Sequence, residues 1–197
     1  TQPRLLLVYA ITALGYGGTF TAFTFLAPIL ENVSGFDSSS ISLIMLVYGV
    51  SVAVGNIWGG KMADKMGPIK ALTVIFSGLA SVLVIFNFTA VNPYASVATI
   101  LVWGAFAFGN VPGLQVYVVK LAEKYTPDAV DVASGLNIAA FNVGIALGSW
   151  GGGLIVAKSG LMNTPWIGAM IVLIALVLTR ISGALDNKKP AFQATNQ

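Results

Sequence analysis

Polar and aromatic side chains recur at helical spacing in an otherwise apolar chain. Thr12, Tyr16, Thr19 and Phe23 follow i, i+4, i+7 and i+11 and make one stripe. Trp103, Phe106, Asn110, Gly113 and Tyr117 make a second stripe. Pro112-Gly113 lies inside that segment and predicts a kink or local unwinding that frees a carbonyl near Gln115. Asn137 and Phe141 share a third face, with Asn142 and Ser149 on another; Tyr48, Ser51 and Asn56 are the polar candidates of a further segment. Rings and amides in such stripes hold amphipathic neutral or weakly polar solutes, by stacking plus a few oriented hydrogen bonds. The competing reading is interhelical glue. Asn, Ser and Thr often bond a neighbouring helix for about 0.6 kcal/mol and touch no ligand.

Covalent and metal chemistry have little to work with. The chain has no Cys and no His, which excludes thiol nucleophiles, disulfides, imidazole metal sites and histidine proton relays. Its acids, Glu31, Asp37, Asp64, Glu123, Asp128, Asp131 and Asp186, all fall at helix ends or in loops. The glycine-rich pieces lack the strand–turn–helix context of a phosphate-binding loop, so no cofactor is expected and an enzyme is not indicated.

The elements that position these residues are six apolar stretches, over residues 5–30, 41–60, 69–88, 96–119, 132–157 and 165–182. Each is close to or above the roughly 20 residues that cross a bilayer core as a helix. Composition agrees, with 56% hydrophobic and 9% charged residues and a mean hydropathy of +0.85. No period-2 alternation points to a barrel, so the expected class is an all-α integral membrane protein. With a cytoplasmic N-terminus, Arg4, Lys61, Lys65, Lys70, Lys120, Lys124, Arg180, Lys188 and Lys189 lie inside and only Lys158 outside, as the positive-inside bias requires. The net charge of +3 therefore describes topology, and no nucleic-acid partner is implied. Residues 31–40 read as an external loop ending in an Asp/Ser cap. Thr126 suits an N-cap with Pro127 at the first helical position, and 183–197 reads as a polar cytoplasmic tail. The chain does not begin with Met, which fits a piece of something longer.

Sliding the sequence by 93 positions (148 minus 55) lays the second span on the fifth. Gly55-Asn56-Ile57-Trp58-Gly59-Gly60 meets Gly148-Ser149-Trp150-Gly151-Gly152-Gly153, and Lys65 and Gly67 meet Lys158 and Gly160. Spans three apart run in opposite directions, so the match reads as an inverted repeat of three helices, a device of secondary-transporter folds; two unrelated glycine-packed helices are the competing reading. The match does not extend convincingly to the first and fourth or third and sixth spans. Gly144, Gly148 and Gly152, like Gly55 and Gly59, are spaced by four, which lets helix backbones approach closely in lipid. The third and sixth spans carry few polar residues and read as outer, lipid-facing helices.

The loop expected between the second and third spans reads Gly60-Lys61-Met62-Ala63-Asp64-Lys65-Met66-Gly67-Pro68-Ile69-Lys70. Here the chain resembles the major facilitator superfamily, whose cytoplasmic motif is Gly-x-x-x-Asp-(Arg/Lys)-x-Gly followed by basic residues. Gly60, Asp64, Lys65 and Gly67 match, while Pro68 and Ile69 depart from the usual basic pair. Leu14-Gly15-Tyr16-Gly17-Gly18, Phe25-Leu26-Ala27-Pro28, Pro127-Asp128-Ala129 and Phe141-Asn142-Val143-Gly144 resemble the sugar-efflux and drug:proton antiporter branch, including arabinose-efflux-like permeases. The resemblance implies half of a twelve-helix fold, and the absence of proline in the fifth span favours the C-terminal half. It also implies a bacterial-type inner membrane, a latching role for Gly60, Asp64, Lys65 and Gly67, and proton-coupled efflux of small amphipathic solutes such as sugars or drugs. The expected partners are the bilayer, the solute, protons, and a missing N-terminal half or second copy. A coupling acid would then lie in that missing half. A channel-like or structural six-helix protein, and a half-size carrier acting as a dimer, stay open.

Overall fold

The computed structural model describes residues 2–187, and every regular element among them is helical. The helices are α1 (Pro3–Phe23), α2 (Leu26–Asn32), α3 (Ser38–Met66), α4 (Pro68–Thr89), α5 (Pro93–Tyr125), α6 (Val130–Ser159) and α7 (Asn163–Asn187), with a 3-10 turn at Pro127–Ala129 before α6. Counting α1 and α2 together and joining the 3-10 turn to α6, six helical segments are long and apolar enough to cross a membrane.

Helix ends follow local chemistry. Asp37 caps α3, its carboxylate accepting from the amides of Ser39 at 3.1 Å and Ser40 at 3.4 Å. Asn92 caps α5 through the Ala95 amide at 3.1 Å. The first span is not one rod. Thr24 and Phe25 form a turn, and Pro28 then sits in the first turn of α2, where its missing N–H is not needed.

Three expectations are corrected. The Gly60–Lys70 motif is not a loop: α3 continues to Met66, and Gly67 alone, at φ +83°, turns the chain into α4 with Pro68 at the first helical position. Thr126 caps nothing; its hydroxyl bonds back to the Ala122 carbonyl, and Pro127 opens the 3-10 turn instead. No unwinding occurs at Pro112, because α5 runs unbroken through it, although the Phe108 carbonyl loses its usual i+4 donor. At the chain's end, α7 extends to Asn187, so 183–187 is helix; the rest of the expected tail, with Lys188 and Lys189, lies outside the described residues.

α1, α6 and the 3-10 turn start at one end of the bundle, the near end, where α3, α5 and α7 finish; the α2–α3, α4–α5 and α6–α7 connections lie at the far end. α1 packs on α6 and α7, and α5 packs in the same way on α3 and α4, with α4 against α7. The inverted repeat is visible in the contacts. Ser51 donates to the Leu101 carbonyl, and a Cβ on Gly55 or Gly59 would fall within 3.0 Å of the Ala105 or Gly109 carbonyl. On the other side, Cβ atoms on Gly144, Gly148 and Gly152 would strike the carbonyls of Ala13, Gly17 and Thr21. The shift of 93 carries 51, 55 and 59 onto 144, 148 and 152, and a shift of 88 (101 minus 13) carries 13, 17 and 21 onto 101, 105 and 109. A Cβ on Gly78 of α4 would collide with Phe106, and one on Gly168 of α7 with Gly18, so the third helix of each repeat packs alike.

Ile11, Tyr16, Phe76, Leu79, Leu83, Phe86 and Trp103 anchor the buried core. The most exposed helices are α3 and α6: 11% and 17% of their apolar windows are buried, against 50% and 39% for α4 and α7. The cause is topological, since α3 and α6 each pack mainly on one neighbour and present the other side outward.

Candidate functional site

Three helices bring five of the predicted residues into one cleft. Thr12 and Tyr16 come from α1, Gln115 from α5, and Asn137 and Phe141 from α6, around a volume of about 170 Å³ completed by Val111, Leu114 and Ile138. At 1.5 Å per residue, Thr12, Gln115 and Asn137 lie roughly 10–15 Å in from the near end.

Their side chains form one relay. The Thr12 hydroxyl donates to Asn137 Oδ1 at 2.7 Å, and Asn137 Nδ2 donates to Gln115 Oε1 at 3.2 Å. Gln115 Nε2 donates to the Ser134 hydroxyl. Ser134 was not legible as a site residue, although it lies three residues before Asn137 on the same helical face. Every member of the relay is uncharged, so the cleft offers hydroxyl and amide dipoles without a fixed charge. Tyr16 and Phe141 pack edge-to-face with ring centroids 4.0 Å apart, forming an aromatic wall. The Tyr16 hydroxyl is buried without a hydrogen-bond partner among the described residues. An orphaned buried hydroxyl costs about 1–3 kcal/mol.

The other candidates lie elsewhere. Phe23 stacks on Tyr48 at 5.1 Å, and Trp103 meets both rings edge-on at 6.5 and 6.2 Å, forming a second aromatic cluster toward the far end. The Tyr48 hydroxyl and Trp103 Nε1 are buried there without partners among the described residues. Thr19 is buried and returns its hydroxyl to the Gly15 carbonyl at 2.8 Å, a bond within its own helix. Phe106 turns toward Trp58 at 5.4 Å, between α3 and α4. Asn110 is fully buried, its Nδ2 reaching the Ala107 carbonyl at 3.4 Å while Oδ1 has no partner among the described residues. Asn142 is exposed and bonds Ile138 O at 2.9 Å, and Asn56 is half-buried on α3. Tyr117 lies near the near end, its hydroxyl donating to Asp186 at 2.7 Å and meeting Ser182 at 2.6 Å. Arg4 closes that group through an ion pair with Asp186.

Asp64 and Lys65 sit in the last turn of α3, exposed, and Asp64 has no ion-pair partner among the described residues. Gly60 lies beside Pro112 of α5, and Gly67 supplies the left-handed corner.

The family model for the Major Facilitator Superfamily matches residues 5–196. The chain is 52% identical to the uncharacterized MFS-type transporter YtbD of Bacillus subtilis (strain 168) over 188 residues, covering 95% of this chain and 47% of that protein. It is 32% identical over 184 residues to the inner membrane transport protein YdhP of Escherichia coli (strain K12), covering 92% and 46% of the two. A Haemophilus influenzae (strain PittGG) protein named "Probable sugar efflux transporter" is 29% identical over 177 residues, covering 90% and 43%. The chain thus spans about half the length of the curated relatives it matches. Among solved structures, an auto-inhibited POT family peptide transporter superposes with a TM-score of 0.78 at 13% identity, covering 96% of this chain and 39% of that one, a likeness of fold.

Proposed function

The chain belongs to the major facilitator superfamily, and from that premise we propose that it is the C-terminal six-helix half of a secondary transporter exporting small, neutral amphipathic solutes. The family is one of multi-pass membrane transporters and not of enzymes. The observation that carries the solute class is the cleft of Thr12, Tyr16, Gln115, Asn137 and Phe141. Its relay is wholly uncharged and its wall is the Tyr16–Phe141 ring pair, so it suits a solute with hydroxyl or amide groups and one apolar face. The relative named as a sugar efflux transporter supports both the solute class and outward direction.

The packing supports alternating access. α3 and α6 leave apolar faces uncovered, including Leu46, Val50 and Ile57 on one and Leu136, Leu147 and Trp150 on the other. A second six-helix body covers those faces, and rocking of the two bodies opens the midplane to either side. We assign that body to an N-terminal half, with a second copy of this chain as the competing arrangement. The near end is cytoplasmic in a bacterial-type inner membrane, because it carries the basic residues. Gly60, Asp64, Lys65 and Gly67 then form a cytoplasmic latch, with Asp64 presented to the opposite half's helix ends. Thr19, Phe23, Tyr48, Asn56, Trp103, Phe106, Asn110, Tyr117 and Asn142 stay cavity candidates for the states the carrier passes through. Proton coupling, if present, uses an acid of the opposite half, because this chain's acids lie at helix ends.

The test is flux in vesicles holding the full-length protein. Saturable, competable efflux of a neutral sugar or amphipathic drug, lost in Tyr16→Ala and Asn137→Ala at unchanged membrane abundance, supports the reading. Ohmic conductance, or unchanged export in both variants, overturns it. Cross-linking between α3 and α6 of separate copies would instead favour the dimer.

A further inference from the structure

A second cleft, of about 600 Å³, opens at the near end between the Met66–Lys70 corner and the last turns of α5 and α7. Its lining includes four cations, Lys70, Lys120, Lys124 and Arg180, and a single acid, Asp186. All four cations are exposed at its rim. Asp186 is already engaged, by the ion pair to Arg4 and by the Tyr117 hydroxyl at 2.7 Å. None of the rim cations forms an ion pair among the described residues.

Helix dipoles explain only part of this cluster. Lys124 complements the end of α5. Lys70, however, occupies the first turn of α4, where the dipole disfavours a cation, and Arg180 lies nearly two turns before the end of α7. Both are placed by the cleft and not by their helices. The surface next to the cations is apolar and outward-facing. Val74, one turn beyond Lys70, is 45% exposed, and Val177 and Ile181, beside Arg180, are 55% and 46% exposed. α4 and α7 therefore present a cationic head followed by an apolar path into the bilayer, and a soluble anion needs no such path.

We propose that this cleft binds the phosphate headgroup of an anionic phospholipid in the leaflet at the near end, with its acyl chains along α4 and α7. Juxtamembrane cations attract anionic headgroups, and a cleft between helices fixes one in place. The inference goes beyond the transport reading and holds whatever the solute is.

The experiment is mass spectrometry of the intact protein released under native conditions from phosphatidylglycerol and phosphatidylcholine of equal chain length. The wild type retains phosphatidylglycerol preferentially. The variant Lys120→Gln/Lys124→Gln/Arg180→Gln loses that preference, by about fivefold per cation removed, while Lys158→Gln at the far end keeps it. Should the triple variant fail to assemble, the single Lys124→Gln change at the exposed rim gives the same reading at one step. Equal retention of the two lipids by the wild type, or unchanged retention in the cleft variants, overturns the proposal. Displacement of the lipid by inorganic phosphate would assign the cleft to a soluble anion and overturn it too.

Discussion

Gly148 of α6 lies so close to Gly17 of α1 that a Cβ on Gly148 would fall within 3.0 Å of the Gly17 carbonyl oxygen, carbon and Cα together. Gly55 stands in the same relation to Ala105 across the other repeat. The obstacle is backbone at each place, so no rotamer change relieves it. Gly148→Ala should therefore push α1 and α6 apart and destabilise the protein by about 1–3 kcal/mol, despite the better helix propensity of alanine. Gly49→Ala, whose new methyl meets nothing within the bundle, should be neutral or stabilising. Thermal unfolding in detergent separates the two; equal melting of both variants would contradict the close approach.

The Thr12–Asn137–Gln115 relay should act on solute affinity more than on stability. Each neutral hydrogen bond is worth about 1 kcal/mol, so Thr12→Val should raise the apparent KM for export roughly fivefold. Asn137→Ala removes a donor and an acceptor at once and should cost more. Transport kinetics on proteoliposomes check this. A fall in maximal rate with no change in KM would place the relay outside the solute's path.

Arg4 and Asp186 tie the start of α1 to the end of α7, with Tyr117 of α5 as the third member. Asp186→Ala strands the half-buried guanidinium and should lower stability by about 1–2 kcal/mol, less than a fully buried pair would cost. Tyr117→Phe should cost about 1 kcal/mol. A double-mutant cycle on Arg4 and Asp186 measures the coupling; a zero result would show that the pair contributes nothing.

Asp37 gives the start of α3 a pH dependence. Hydrogen bonds from the Ser39 hydroxyl first, then from Ser40, hold its carboxyl well below the usual carboxylate range. The folded value lies below the unfolded one, so the cap's contribution is fully present above the ordinary value of 3.8 and is lost as pH falls toward the folded value. Amide exchange at Ser39 and Ser40 should quicken in strong acid in the wild type. In Asp37→Asn it should show no such acid step. An identical acid response in the two proteins would remove Asp37 as the cause.

The spans were legible because hydropathy and length act locally: lipid demands internal hydrogen bonding of every apolar stretch long enough to cross it. The repeat between α3 and α6 was legible for a related reason, since close backbone packing admits little but small residues at spacing four. Its continuation into α1 and α5 was not. There the partner groups are main-chain carbonyls of Ala13, Gly17 and Thr21, and of Leu101, Ala105 and Gly109, which leave no residue signature. The glycine-and-proline corner at Gly67-Pro68 also hid in plain view, because the charges around it read as a loop although α3 carries Lys61, Asp64 and Lys65 and α4 carries Lys70.

The candidate site divides the same way. Helical spacing placed Thr12 with Tyr16, and Asn137 with Phe141, since faces follow from 3.6 residues per turn. Spacing within one helix carries no information about which faces meet. The joining of those two pairs with Gln115, and the turning of Phe106 and Trp103 into other packing, depend on helix crossing and rotation. The sequence by itself determined a six-span bundle with uncharged polar stripes and basic ends. Only the tertiary structure decided which stripes converge, because that choice rests on how closely glycine and carbonyl allow each pair of helices to approach.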